Sequence, residues 1–254
     1  MAPDCSFDII FSTYPIILEF ANRQFNTKMN AGGAFIGQKT CSVKFSVKQP
    51  QTIFGIRFKP FAFANLFPVS PEKLINRTLR LEQIFLLKKE ERSLIKQILN
   101  PIELLKKASL AEKLVLQLLD EDLLVDQTFR AQLNFIMDRK GLLEIKELFS
   151  EFGVSKVTLR KHFLEKMGLA PKVVSRIWRL NHFLELKRDA TQLSLTQLAL
   201  ESGYYDQAHF IREFKTFFHN SPRQFFKQES QLLRISQDII SKRFSNRYDP
   251  VFIA

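Results

Sequence analysis

Two stretches of this chain repeat each other at a nearly constant offset, and that repeat restricts the C-terminal half to a tandem of like-built units. Ile145, Leu148 and Gly153 recur 50 positions on as Leu195, Leu198 and Gly203, while Phe163 and Pro171 recur 51 positions on as Phe214 and Pro222. One residue is therefore inserted after the second glycine. In the second unit Ser194 and Gln197 form a capping box, in which each side chain satisfies an amide left open at a helix start, ahead of an apolar stripe of Leu195, Leu198 and Ala199. That helix is expected to end at Gly203, where a left-handed backbone costs glycine nothing. A second helix begins near Asp206, and its face of Phe210, Phe214 and Phe217 must pack on the first. At about 100° per residue Ala208, Arg212 and Lys215 fall on the opposite side, flanked by Gln207 and His209. The first unit follows suit, with Gly153 as its turn, Ser155 as N-cap, Leu159 and Phe163 inward, and Val157, Arg160 and Lys161 outward.

A basic outer face on a compact helix pair is what a major-groove reader requires, because Arg, Lys and Gln bond base edges while neighbouring groups hold phosphates. The charge balance agrees. Lys and Arg number 38 against 26 Asp and Glu, a formal net charge of +12, which favours a polyanionic partner. The excess is larger after residue 126 (+8) than before it (+4). Between the units, Pro171 suits the first turn of a helix, and Pro171 to Lys187 would make a strut of about 25 Å. Such a strut matches the roughly 34 Å of one DNA turn closely enough to hold two reading helices on one face. Ser221-Pro222-Arg223-Gln224 reads as a further capping box, whose open amides are suited to a phosphate and equally to an ordinary capped helix.

The N-terminal half has a different period. Cys41, Val43, Phe45 and Val47 alternate with Ser42, Lys44, Ser46 and Lys48, and Phe54, Ile56 and Phe58 alternate with Gly55, Arg57 and Lys59, so both runs are predicted strands. Gln49-Pro50-Gln51 is expected to join them as a hairpin loop. Asp8 to Ser12 and Ile16 to Phe20 are weaker strand candidates. After Pro71 the spacing turns helical, over Leu81 to Asn100, Pro101 to Leu119 and Asp126 to Lys140. The expected fold is α+β: a small antiparallel sheet with helices over residues 1–122, an all-α domain of two helix-turn-helix units joined by a long helix over 127–228, and a tail over 230–254 whose Leu232, Leu233, Ile235, Ile239 and Ile240 suggest a covering helix.

An enzyme is not expected. Residues 1–126 contain no histidine, so a His-based metal site cannot assemble there, and carboxylates such as Asp4, Asp8 and Glu19 are not paired at a useful spacing. Cys5 and Cys41 are too few for a disulfide framework or a structural zinc site, and no cofactor is expected. No apolar run reaches the roughly 20 residues needed to cross a bilayer, and Asp4 and Asp8 stand where a secretory signal would be cationic. A cytoplasmic protein without a membrane partner is the expectation. His162, His182 and His219 have no functional reading, and Trp178 reads as core.

The stretch Ser194-Leu-Thr-Gln-Leu-Ala-Leu-Glu-Ser-Gly203-Tyr-Tyr-Asp-Gln-Ala-His-Phe210-Ile-Arg-Glu-Phe214-Lys, with Phe218-His-Asn-Ser221-Pro222, resembles the second-unit signature of the AraC/XylS family of transcription regulators. Gly153-Val-Ser155 through Leu159 and Phe163, then Gly168-Leu-Ala-Pro171, resembles the first. The resemblance covers about residues 127–228 and implies two recognition helices in adjacent major-groove segments. The positions matching the family's base readers are Val157, Arg160 and Lys161 in one helix and Ala208, His209 and Arg212 in the other. Lys172, Lys215 and Arg223 are expected on phosphates. Pro3-Asp4, Gly55-Ile-Arg57-Phe58-Lys-Pro60 and Arg80-Leu-Glu82 resemble a sensor-like domain found in part of this family. Relatives usually carry several tens of residues before the Pro-Asp position and Gly where Cys5 stands, so this chain is expected to start late and its cupin-like barrel to be incomplete.

Double-stranded DNA is the partner this implies, with RNA polymerase, a second copy of the chain and an unknown small-molecule effector as further candidates. The alternative is an RNA-binding or protein-interaction module using the same basic faces. Duplex DNA is expected to bind in preference to RNA, with affinity falling by about tenfold or more between about 50 and 200 mM salt. Titrations of both nucleic acids across a salt series check this, and equal affinity would favour the alternative.

Overall fold

The computed structural model describes residues 2–22, 27–62, 69–118, 126–190 and 192–227. Among these, seven strands precede the helices: β1 (Phe7–Ser12), β2 (Ile16–Phe20), β3 (Thr27–Met29), β4 (Gly32–Ile36), β5 (Val43–Val47), β6 (Ile53–Phe58) and β7 (Thr78–Arg80). They form two antiparallel sheets, ordered β6-β1-β4-β7 and β3-β2-β5. β1 is central. Its Phe7, Ile9 and Phe11 enter a core covered by α1 (Lys89–Leu99) and α2 (Leu104–Leu118), and its Ile10 enters the core between the sheets with Leu18, Phe20, Ile36 and Val43. Burial on both faces is why β1 lacks clean polar alternation.

The α+β class is as expected, but three local expectations fail. β5 pairs with β2 and β6 with β1, so Gln49-Pro50-Gln51 crosses from one sheet to the other and closes no hairpin. The cause is a long-range pairing: Arg57 stands directly opposite Asp8 in the β1–β6 register, and Phe58 stacks on Phe7 at 5.2 Å. The helix expected from Leu81 starts at Lys89. Leu81–Gln83 is a single 3-10 turn, after which Phe85 and Leu87 are buried and Leu86 is fully exposed, a two-residue period that a helix cannot supply. Similarly, α2 begins at Leu104 and not at Pro101. The expected domain boundary, between residues 122 and 127, falls where only Asp126 and Gln127 are described, and the expected tail at 230–254 lies outside the described residues.

The helical half holds α3 (Gln127–Asp138), α4 (Ile145–Phe152), α5 (Lys156–Met167), α6 (Pro171–Asp189), α7 (Leu195–Glu201), α8 (Gln207–Phe218) and α9 (Pro222–Lys227) around one core. The N-terminal segment belongs to that core too, since Ala2 and Cys5 are buried in it and Asn181 Nδ2 on α6 donates to the Pro3 carbonyl at 2.9 Å. Cys5 takes a left-handed φ of 57°. That conformation costs a non-glycine residue about 1 to 2 kcal/mol, and the Cys5 side chain it places is wholly buried. The Ser42 amide donates to the Phe217 carbonyl at the end of α8 at 2.7 Å. Gly168, at φ 73°, lets the end of α5 meet the Pro71–Leu74 turn so closely that a Cβ there would lie 2.7 Å from the Glu72 nitrogen.

Four charged side chains fix the segment that makes these contacts. Lys39 Nζ lies 3.0 Å from Asp8 and 3.6 Å from Asp4, and the Arg57 guanidinium pairs with both carboxylates. The Lys39 side chain is wholly buried. Burial alone would raise the Asp8 carboxyl, but Arg57 and Lys39 outweigh it and hold the group below its ordinary range. Two acids and two bases cancel, so removing one member leaves a buried charge without its counterpart. Lys39→Met is expected to destabilise the fold by about 3 to 5 kcal/mol, measured as the change in urea midpoint; an unchanged midpoint would show the network to be energetically idle.

Candidate nucleic-acid interface

Local chemistry builds both helix pairs. Ser194 and Gln197 exchange side-chain and backbone hydrogen bonds at the start of α7, and Gly203 follows its end at φ 76°. Asp206 then caps α8 by accepting from the His209 amide. Phe210, Phe214 and Phe217 are buried, with Phe210 packed on Phe183 of α6 at 4.4 Å between ring centres. In the first pair Ser155 caps α5 by accepting from the Thr158 amide, Gly153 closes α4 with a left-handed turn, and Leu159 and Phe163 are buried. Glu144 and Glu147 form a capping box at the start of α4 that the sequence reading does not single out. At the far end Ser221 and Gln224 exchange the expected bonds around α9.

With one face of each second helix buried, the opposite face is open. Val157, Arg160 and Lys161 on α5 are exposed, as are Gln207, Ala208, Arg212 and Lys215 on α8, Lys172 on α6 and Arg223 on α9. Val157, 77% exposed, is an apolar side chain that the fold has no use for. Lys161 stands 3.7 Å from Glu165 one turn on. His209 differs from the other named residues, being only half exposed. Its ring packs edge-on against Tyr204, Nδ1 accepts from the Tyr205 amide, and Nε2 lies 3.8 Å from Glu213. Tyr205, next to the start of α8, is 88% exposed while its neighbour Tyr204 is buried. A Tyr-Tyr pair at a helix start is the available signal for it, but only the fold tells which ring is outside.

Polar groups also join the second helices to their supports. Asp126, the N-cap of α3, accepts from His162 Nε2 at 2.9 Å and from Lys166 Nζ at 3.2 Å, both on α5. The His162 Nδ1 lies 3.1 Å from Gln132 Oε1. Burial pushes the Asp126 carboxyl up, but the Phe129 amide, His162 and Lys166 prevail and hold it at about 2. In the second pair Arg176 Nε on α6 donates to Glu213 Oε1 on α8 at 2.6 Å. Tyr204 is pushed above the usual phenol range by burial and then by Glu213. Among the described residues no cluster of three His, Cys, Asp or Glu side chains has a metal-binding arrangement, and no helix is long and apolar enough to cross a membrane.

Comparison with known proteins places family resemblance at both ends of the chain. Residues 148–228 match a family described as a helix-turn-helix domain, and residues 1–80 match a domain of unknown function, DUF6597. Uncharacterised helix-turn-helix-type transcriptional regulators of Staphylococcus aureus, from strains MSSA476 and MRSA252, are each 32% identical over 83 residues, 33% of this chain and 11% of theirs. The match thus spans about a tenth of the length of those relatives. Among solved structures, ToxT from Vibrio cholerae superposes with a TM-score of 0.45 at 12% identity, covering 86% of this chain and 88% of that one. ToxT bound to an unsaturated fatty acid gives 0.42 at 12% identity, over 86% of each chain.

Because the Asp126 carboxyl lies below its ordinary value of 3.8, its interactions stabilise the fold fully above pH 4 and fade as pH falls toward 2. Asp126→Asn keeps a capping oxygen and loses the charge. It is expected to cost roughly 1 to 2 kcal/mol near neutral pH, with the gap to the wild-type chain narrowing below pH 4. Urea unfolding at intervals from pH 7 to pH 3 checks this, and a gap that is constant with pH would contradict it.

Proposed function

With residues 148–228 an AraC-type helix-turn-helix domain, we propose that the chain is a sequence-specific DNA-binding regulator of transcription that sets α5 and α8 into adjacent major-groove segments of duplex DNA. The observation that carries this reading is the exposure of Arg160, Lys161, Arg212 and Lys215 on the outer faces of two helices whose inner faces are sealed in one core. Arg160 and Arg212 donate to base edges, since a guanidinium fork matches the O6 and N7 acceptors of guanine. Val157 and Ala208 offer apolar surface to a thymine methyl. Gln207, His209 and Lys161 extend the reading face, and Lys172, Lys215 and Arg223 neutralise phosphates. The 19 residues of α6 supply a strut of about 28 Å, suited to holding the two helices about one DNA turn apart. In this reading residues 1–122 form the sensing and dimerising part, with an effector, a second copy and RNA polymerase as its partners, and the chemistry is binding and not catalysis.

Selection of bound sites from random duplex DNA tests the proposal. Two short motifs about ten base pairs apart are expected. Arg212→Ala should weaken binding to the selected site by about tenfold or more and relax preference in one motif, while Arg160→Ala does so in the other. A selection that yields no motif, or preferences that survive both substitutions, would contradict it.

A further inference from the structure

We infer that each recognition helix is aimed by a polar tether to the helix that opens its own unit, and that the two tethers occupy equivalent positions of the internal repeat with donor and acceptor exchanged. The inference rests on the reading function proposed for α5 and α8. Asp126 and Arg176 are 50 positions apart, as are Gly153 and Gly203. His162 and Glu213 are 51 apart, as are Phe163 and Phe214. The tethers accordingly close over 36 residues in the first unit and 37 in the second, which the single inserted residue explains.

The equivalence extends one helical turn. Lys166, four residues after His162, makes the second contact to Asp126 at 3.2 Å. Phe217, four residues after Glu213, makes the second contact to Arg176, whose guanidinium lies 5.2 Å from the ring centre. In both units one residue of the support helix is gripped by two positions of the reader, one turn apart. The repeating unit is therefore three helices, α3-α4-α5 and α6-α7-α8, although no identity between Asp126 and Arg176 or between His162 and Glu213 marks the first helix in the sequence.

Tethers at these positions fix rotation. His162 and Glu213 immediately precede the buried Phe163 and Phe214, so each lies on the flank of its helix, beside the line of contact with the support. At a side-chain radius of about 6 Å, a rotation of about 20° carries a tip some 2 Å sideways, enough to break a two-point hydrogen bond to a base. Glu213 is only 9% exposed and its Oε2 has no hydrogen-bond partner among the described residues, so Arg176 is its principal counter-charge. The exchanged polarity also keeps the units apart in folding. α8 laid on α3 would set Glu213 against Asp126, and α5 laid on α6 would set Lys166 against Arg176, so the wrong dockings are repulsive. Asp126, His162, Arg176 and Glu213 are thus positioning residues.

The test uses the full chain and the selected duplex. Arg176→Asp and Glu213→Lys each break the second tether, and the double variant rebuilds it with the polarity of the first. Base preference is measured on duplexes with single-base changes, and amide hydrogen exchange is followed over residues 207–218. Each single variant should lose about tenfold in preference at the motif read by α8, keep preference at the motif read by α5, and exchange faster over 207–218; the double variant should recover both. Single variants that behave as wild type, or a folded double variant that recovers neither, would overturn the inference. If the wild-type chain itself shows no base preference, the proposed function fails while the exchange arm still decides: reciprocal recovery upholds the tether and its absence removes it. Should a single variant not fold, Glu213→Gln takes its place, with a partial loss confined to the α8 motif as the supporting result and a uniform or absent loss as the contrary one.

Discussion

A helix of 12 residues, the length of both α5 and α8, is marginal alone in water, so each exists here by burying one face. Leu159, Phe163 and Met167 do this for α5, and Phe210, Phe214 and Phe217 for α8; all six are essentially without solvent contact. Burying a side chain of this size contributes about 1.5 to 3 kcal/mol, and the same act decides which residues face outward. Once the phenylalanines are committed to the core, the helical period leaves Arg160, Lys161, Arg212 and Lys215 no position except the surface. The basic faces are a consequence of the packing, and the packing follows from the apolar spacing.

The sheet half and the helical half are not independent bodies joined by a strand of chain. Residues 2–5 complete the helical core, Pro3 is held by Asn181 of α6, and the end of α5 is pressed against the Pro71–Leu74 turn. The loop that carries Lys39 into the buried charge network also carries Ser42, whose amide holds the last turn of α8. A neutral network in a buried site is rigid because each charge needs its counterparts at short range. The loop between β4 and β5 thereby links the charge network on β1 and β6 to the last turn of α8.

Short-range physics makes the helical half legible. Ser194, Gln197, Ser155 and the two glycines act within a few residues of themselves, so the ends of α5, α7 and α8 can be read closely from the chain. The N-terminal half depends on partners far apart in sequence. β6 is drawn to β1 by Asp8 and Arg57 across 49 residues, and nothing local in Gln49-Pro50-Gln51 reveals that it must cross between sheets. β3, β4 and β7 escape the sequence reading, being short or, in β4, almost wholly buried and therefore without alternation. Leu81, Ile84 and Phe85 carry a helical spacing, but Phe85 and Leu87 enter one core together while Leu86 between them is fully exposed, which a helix cannot accommodate. Of the candidate site, the outward residues are readable from the period, whereas the inward turn of His209 toward Tyr204 and Glu213 and the tethers themselves are not. Those depend on unlike residues meeting across the fold.

Two like-built units, each with a buried apolar stripe, an exposed cationic row and a polar bond to its own support, amount to one device used twice. The proposed reading of DNA requires both cationic rows to meet the major groove of a single duplex. Methylation protection of guanine N7 atoms, which lie in that groove, measures this most directly on a selected site with the full-length chain bound. Two patches of protection about ten base pairs apart on one face of the helix are predicted; a single patch, or binding that leaves every N7 reactive, would contradict the account.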